Sequence, residues 1–217
     1  MAKVVKPEHI KEFEHLHMIK EDEVYKFAEN AALAFKGYEL FEWTFNYKYD
    51  VEQMKETFAT SYRSMKEYAV AFASDEDASG IAVILPPNFK GEPVIPFMLR
   101  GGLKIIFTNP PRYFYRLMKY EFHAAKIRKK HTNFKTWYFW NITIKPECQG
   151  QGIASKLIKP ICEFMDRIGE DIYLETHLED RVPLYEHYGF EVLEKSKVPG
   201  TKDLYLYGMI RRHKEKE

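Results

Sequence analysis

Between residues 142 and 154 the chain reads Ile142-Thr143-Ile144-Lys145-Pro146-Glu147-Cys148-Gln149-Gly150-Gln151-Gly152-Ile153-Ala154. A β-branched run stops at a proline, and Gly150 and Gly152 precede apolar residues at helical spacing. Glycine accepts positive φ and lets a backbone come close to a ligand. A helix starting here aims unpaired N–H groups and its positive dipole end into the turn, an arrangement suited to phosphate or pyrophosphate. The chemistry offered is therefore anion binding by main chain. No Gly-Lys-Ser/Thr closes the turn, so it is not a nucleoside-triphosphate P-loop. No Gly-x-Gly-x-x-Gly is present, which disfavours a dinucleotide site. By itself the segment also reads as a plain strand-to-helix connection.

The surrounding elements must position that turn. Trp137 to Ile144 reads as a strand rich in aromatic and β-branched residues. From Gly152, Ala154, Leu157, Ile158, Ile161, Cys162, Met165 and Ile168 mark one helix face, and the stripe runs through Pro160, which predicts a kink there rather than an end. Ile172 to Glu175 reads as the next strand, and Val182 to Phe190 holds a short helix stopped by Gly189. Upstream, Glu21 to Phe35 and Val51 to Tyr68 show helical periods. Tyr68 to Ser74 and Gly80 to Leu85 read as strands joined by a polar turn. Pro93 to about Lys130 is helical, with interruptions at Gly101-Gly102 and Pro110-Pro111. Glu191 to Lys195 and Leu204 to Ile210 are expected to close the sheet as an antiparallel pair. Tyr38, Phe41, Trp43, Phe45, Tyr47 and Tyr49 form an aromatic stretch expected either to pack in the core or to form a strand. The fold class is α/β (α+β): a twisted, mixed but mostly antiparallel sheet with helices on both faces.

Bulk properties bound the possibilities. The 217 residues suffice for one domain with a full core, and no linker, repeat or low-complexity segment divides them. A formal net charge of +1 gives no general reason to expect nucleic acid or an anionic membrane as partner. Cys148 and Cys162 are too few and wrongly spaced for a zinc site or disulfide framework, which fits a reducing cytoplasm. Nothing pairs with Cys148 as a base, which argues against nucleophilic catalysis. His9, His15 and His17 match no metal-ligand spacing, so no metal is expected. The N-terminus lacks the apolar core of a signal peptide. The apolar stretch from Pro93 to Phe107 is too interrupted to span a membrane. The basic run Lys126 to His131 reads as a solvated helix end.

Gln149 to Ala154 fits Gln/Arg-x-x-Gly-x-Gly/Ala, and Leu184, Tyr185, Gly189 and Phe190 fit Leu-Tyr-x-x-x-Gly-Phe. In both respects the chain resembles the GNAT superfamily of acyl-CoA-dependent N-acyltransferases. Trp137-Tyr138-Phe139, Leu174-Glu175-Thr176, Val182-Pro183-Leu184-Tyr185, Val198-Pro199-Gly200 and Met209-Ile210-Arg211 are similar to the branch containing puromycin N-acetyltransferase. The likeness is tight from about Trp137 to Arg211 and loose before it. It implies a single N-acetyltransferase domain over residues 1–217, with its motif-bearing part at about 66–213.

The resemblance also implies roles. In the family, two adjacent parallel strands splay apart and the pantetheine arm of acetyl-CoA lies in the gap. The matching strand residues are Ile142 and Ile144, and the pyrophosphate-binding amides are those of Gln149, Gly150, Gln151, Gly152, Ile153 and Ala154. Tyr185 is the candidate general acid, since a phenol is protonated at neutral pH and can protonate a leaving thiolate. Glu175, at a strand end near the expected acetyl group, is the candidate base; His177 is the other candidate, set against its reading as an exposed loop residue. The region between the first two helices overhangs the acceptor site, so the aromatic stretch also fits a site for a hydrophobic or aromatic amine. The branch pattern departs at His177, Leu178 and Arg181, where Ser-Asn and a further Asn are usual. The expected activity is acetyl transfer to an amine of a small molecule or peptide, with acetyl-CoA as cosubstrate. The alternative is a non-catalytic acyl-CoA-binding module.

Overall fold

The computed structural model describes Phe13 and residues 16–214; His9 and His15 lie outside the described residues. The strands are β1 (His17–Met18), β2 (Val70–Ala73), β3 (Gly80–Leu85), β4 (Trp137–Ile144), β5 (Ile172–Thr176), β6 (Glu191–Lys197) and β7 (Tyr205–Arg211). They form one sheet in the order β1-β2-β3-β4-β5-β7-β6. Only β4 and β5 run parallel; every other described pair is antiparallel.

The helices are α1 (Val24–Ala34), α2 (Glu39–Thr44), α3 (Val51–Met65), α4 (Val94–Phe97), α5 (Leu103–Thr108), α6 (Pro111–Thr132), α7 (Ile153–Ile168) and α8 (Val182–His187). Between α4 and α5 a wide turn over Met98–Gly102 has non-helical backbone at Arg100 and Gly101. That interruption and the break before α6 fall where the glycine and proline pairs predict them. The aromatic stretch is no strand: Phe41 and Trp43 lie on α2, Tyr38, Phe45, Tyr47 and Tyr49 lie outside it, and Trp43 and Phe45 pack in the core. α7 runs through Pro160 without ending, because its apolar face continues on both sides of the proline. No helix among the described residues is long and apolar enough to cross a membrane.

The sheet separates apolar layers. On one face, α7 and Tyr185 of α8 pack with Trp137, Phe139 and Leu174. On the other, α1 and α3 cover Ile81 and Val83, and α6 packs with Leu204 and Leu206. Gly80 lets α7 sit close to β3, since a Cβ there would lie 2.6 Å from Ile153 Cγ2. Helices on both faces follow from strands that are apolar on both sides, as the wholly buried β3 is.

Candidate active site

Two irregularities in the sheet create the site. The parallel ladder between β4 and β5 ends at Phe139 opposite Leu174, although β4 continues to Ile144 and β5 to Thr176. The strands therefore part from Trp140 and Glu175 onward, leaving the β5 side of β4 without a strand partner. On its other side β4 carries a bulge. Val83 pairs with Asn141 and Ile84 with Phe139, so Trp140 is the extra residue. A bulge leaves its extra residue off the ladder and re-aims neighbouring side chains. Accordingly Trp140 meets the rings of Phe58 and Tyr62, and the adjacent Asn141 also turns toward α3, donating to Tyr62 Oη at 3.0 Å. Ile142 and Ile144, beyond the bulge, pack on the α7 side.

The turn after β4 leads into this gap. Gly150 and Gly152 have φ of +76° and +77°, the left-handed region that glycine enters without penalty. A Cβ at either position would meet nothing within 4 Å, so both are required by backbone conformation rather than by crowding. Gln149 and Gln151 are exposed, and their amides fold back on the carbonyls of Ile144 and Glu147. The N–H groups of Gly150, Gln151 and Gly152 donate to no acceptor among the described residues. Those of Ile153 and Ala154 open α7, where a helix offers them no internal acceptor. Adjacent free donors at the positive end of a sixteen-residue helix suit a diphosphate.

Tyr185 is buried on α8, in the same apolar cluster as Ile142 and Ile144, with its ring 6.0 Å from that of Phe190. Burial raises its pKa, the neighbouring Tyr38 adds to this, and Arg181 opposes it, so the phenol is protonated across the neutral range.

Glu175 is the first β5 residue past the ladder's end. Leu174 faces α7, so strand alternation turns Glu175 to the opposite side, toward α6. There it accepts a hydrogen bond from Tyr138 Oη at 2.9 Å. Burial raises its pKa, while the charge of Arg128 and the phenols of Tyr138 and Tyr173 work the other way. Arg128 itself is buried, with its guanidinium carbon 3.9 Å from the centre of the Tyr138 ring. Nη2 of Arg128 donates to the Phe89 carbonyl at 3.3 Å, but Nε and Nη1 have no hydrogen-bond partner among the described residues. The solvated helix end expected over Lys126–His131 is thus corrected at Arg128. The helical turn swings this one cation inward beside Ile127 while Lys126, Lys129 and Lys130 stay outside.

Glu121 lies seven residues before Arg128, on the same stripe of α6. Burial and the charges of Glu175 and Glu92 push its carboxyl up to about 7, against the pull of Arg128. By area, however, its side chain is exposed. Tyr173 lies beneath: its hydroxyl is buried, and a Cβ at Gly208 would stand 2.5 Å from it, so β7 carries glycine there.

His177 corrects a second expectation. It is not in an exposed loop. Its Nδ1 lies 3.1 Å from Tyr38 Oη, its backbone N–H donates to the same oxygen at 3.1 Å, and its ring is 5.1 Å from Tyr120. Burial, with a smaller effect from His123, pushes its pKa down to about 3. An imidazole that weakly basic is a poor acceptor for a proton from an ammonium near pKa ~10. Tyr38 also starts a chain of ring contacts running through Phe35 at 5.2 Å and Phe58 at 5.4 Å to Trp140 at 6.5 Å. Aromatic rings thus link the two strands where they part.

Glu175 stands where the strands part, Ile142 and Ile144 lie on the freed length of β4, Tyr185 shares their apolar cluster, and the turn from Gln149 to Ala154 follows β4. Arg128, Glu121 and Tyr138 were missed in the sequence. A signal existed for the first two: Glu121 and Arg128 recur at helical spacing on one side of a long apolar-periodic segment. Tyr138 lay inside a strand whose alternation alone does not separate core from site.

Comparison with known proteins follows the same lines. Residues 113–192 match the family model of the acetyltransferase (GNAT) domain. An uncharacterized N-acetyltransferase of Schizosaccharomyces pombe is 45% identical over 56 residues, a stretch spanning 25% of this chain and 22% of that relative. The fold resembles that of a histone acetyltransferase HPA2 and related acetyltransferase from Corynebacterium glutamicum, with a TM-score of 0.63 and 15% identity over 93% of this chain and 98% of the other. It also resembles an N-acetyltransferase from Staphylococcus aureus Mu50, with a TM-score of 0.56 and 12% identity over 90% and 98% of the two chains. The family match is thus confined to residues 113–192, the Schizosaccharomyces pombe likeness spans about a fifth of that relative's length, and the solved structures show a likeness of fold. The fold is GNAT-like.

Proposed function

We propose that this protein is an N-acetyltransferase that moves an acetyl group directly from acetyl-CoA to an amine of a small molecule or peptide. The observation carrying this reading is the coincidence of a β4–β5 gap with free main-chain donors at the start of α7. On this reading the amides from Gln149 to Ala154 hold the diphosphate, and the open edge of β4 at Ile142 and Ile144 pairs with the pantetheine arm. The finer likeness to the branch containing puromycin N-acetyltransferase rests on the residues between Trp137 and Arg211.

The chemistry then assigns work to each side chain. The acceptor arrives as an ammonium and must lose a proton before its nitrogen can attack the thioester carbonyl. Glu175 takes that proton, directly or through one water. The C–N bond forms, and main-chain N–H groups bordering the gap stabilise the developing oxyanion. The C–S bond then breaks, Tyr185 protonates the departing thiolate, and the second proton shed by the acylated nitrogen restores the Tyr185 phenol directly or through water. Burial raises the Glu175 pKa, and Arg128 and Tyr138 oppose that rise. The aromatic chain from Tyr38 to Trp140 supports an acceptor with a hydrophobic or aromatic body.

Two measurements test this together. Calorimetry should detect CoA binding, and thiol release from acetyl-CoA should rise when a mixed panel of amines is added. CoA binding without amine-dependent thiol release would instead favour the non-catalytic acyl-CoA-binding module. No CoA binding by folded protein would remove both.

A further inference from the structure

The segment between β3 and β4 carries an unusual surface. In the arm formed by α4, the wide turn and α5, the side chains of Val94, Ile95, Leu99, Leu103, Ile106 and Phe107 are exposed. Leu99 and Phe107 are 81% and 85% exposed, values normally found for charged residues. Val94 and Ile95 lie on α4, Leu99 in the wide turn, and Leu103, Ile106 and Phe107 on α5, where their spacing sets them on one side of that helix. α6 adds Tyr115, Met118 and Phe122, again at helical spacing and again exposed. Soluble surfaces rarely expose apolar residues in such density without a partner.

The same segment is strongly basic. Residues 89–132 contain ten lysines and arginines against two glutamates, whereas the whole chain nets only +1. The remainder of the chain is therefore acidic on balance. Arg100, Lys104 and Lys130 pair with Glu67, Glu56 and Glu194, and Arg128 is buried. Lys90, Arg112, Lys126 and Lys129 are exposed and pair with no carboxylate among the described residues. The absence of a general electrostatic reason for membrane contact, read from the net charge, thus conceals a concentrated local one.

We infer that the α4–α5 arm, with the exposed side of α6, docks this protein on an anionic lipid surface. Apolar helix faces flanked by lysine and arginine lie in the headgroup plane, with the apolar side chains reaching the acyl boundary and the cations meeting acidic headgroups. The charge argues against a second copy of this chain: a two-fold contact would set this basic face against itself. A nucleic acid would meet the cations but leave the aliphatic side chains of Val94, Ile95, Leu99 and Leu103 unmatched. This inference is independent of the acetyl-transfer reading.

The test is cosedimentation of the full chain with two kinds of vesicle, phosphatidylcholine alone and phosphatidylcholine containing phosphatidylserine. The bound fraction should be roughly tenfold higher on the anionic vesicles and should fall as salt is raised. The double variant Leu99→Glu, Phe107→Glu should lose that binding with an unchanged melting temperature, because both side chains are exposed in the free protein. Replacing Lys126 and Lys129 by Glu should weaken it as well. Failure of the unaltered protein to sediment with anionic vesicles overturns the inference, as does undiminished binding by the Leu99/Phe107 variant. A concentration-dependent dimer in ultracentrifugation, abolished by that variant and unaccompanied by vesicle binding, would overturn it in favour of self-association.

Discussion

Glu175 is held between opposing influences, and its proposed role as a base depends on their balance. Burial favours its neutral form; Arg128, Tyr138 and Tyr173 favour the ionised one. Removing the Tyr138 hydroxyl with Tyr138→Phe leaves burial less opposed and raises the carboxyl pKa further. A base works only when deprotonated, so the acid limb of kcat/KM should move to higher pH in this variant. Arg128→Met should move it further, and an unmoved limb in both would remove Glu175 as the base. At Tyr185 the expectation is different. Tyr185→Phe deletes the proposed proton donor without altering the turn proposed to hold the diphosphate, so turnover should fall by roughly 10²-fold while CoA affinity stays within about twofold. Kinetics paired with calorimetry separate the two quantities. Unchanged turnover would return Tyr185 to the core, where its packing against Phe190 already gives it a place.

At the scale of elements, the site depends on how one strand ends and one helix begins. The turn into α7 holds two left-handed glycines in open surroundings. In Gly152→Ala the added methyl clashes with nothing outside the residue, but left-handed backbone costs an L-residue roughly 1–2 kcal/mol. The N–H groups should be misdirected more than the fold is weakened. CoA affinity is expected to drop roughly tenfold or more, with the urea midpoint lowered only by the shift that strain implies, about 1 M or less. An unaltered dissociation constant would argue that the turn does not bind the diphosphate. The sequence made this element legible because glycine spacing, proline and helical period all act locally. It did not make α2 legible. Aromatic residues serve strand and helix alike, and only the packing of Leu40 and Trp43 against α6 decides between them.

The molecule as a whole is closed by its last strand. Arg211 on β7 is buried and meets Asp166 of α7 through two hydrogen bonds of 2.8 and 2.6 Å, which tie the final strand to the helix that opens the site. Burial opposes ionisation of Asp166, but the hydrogen bonds from Arg211 and the Lys214 amide, with their charges, outweigh it and lower its pKa. Asp171 is lowered in the same sense by His213 and Arg212, again against burial. A carboxylate whose folded pKa is depressed stabilises the fold above its unfolded value near ~3.9, and that contribution is lost as pH falls through the folded one. Urea unfolding should therefore show stability falling steeply below about pH 4. Asp166→Asn should cost about 3 kcal/mol at neutral pH, because it leaves Arg211 buried without its counter-charge, and it should flatten the acid dependence. A variant as stable as the unaltered protein would show that Arg211 finds other partners.

What the sequence determined by itself is local: the strand before the turn, the glycines that let the main chain open, the helix behind them, and the order in which strands and helices alternate. These follow from neighbours a few residues apart. The tertiary structure alone decided where β4 and β5 part, that Trp140 is the bulged residue, and that Arg128 turns inward to face Glu175. It also decided that His177 is enclosed by Tyr38 and Tyr120. Charge and burial at such positions are set by residues distant in sequence, here Tyr38 against His177, so no local pattern could reveal them.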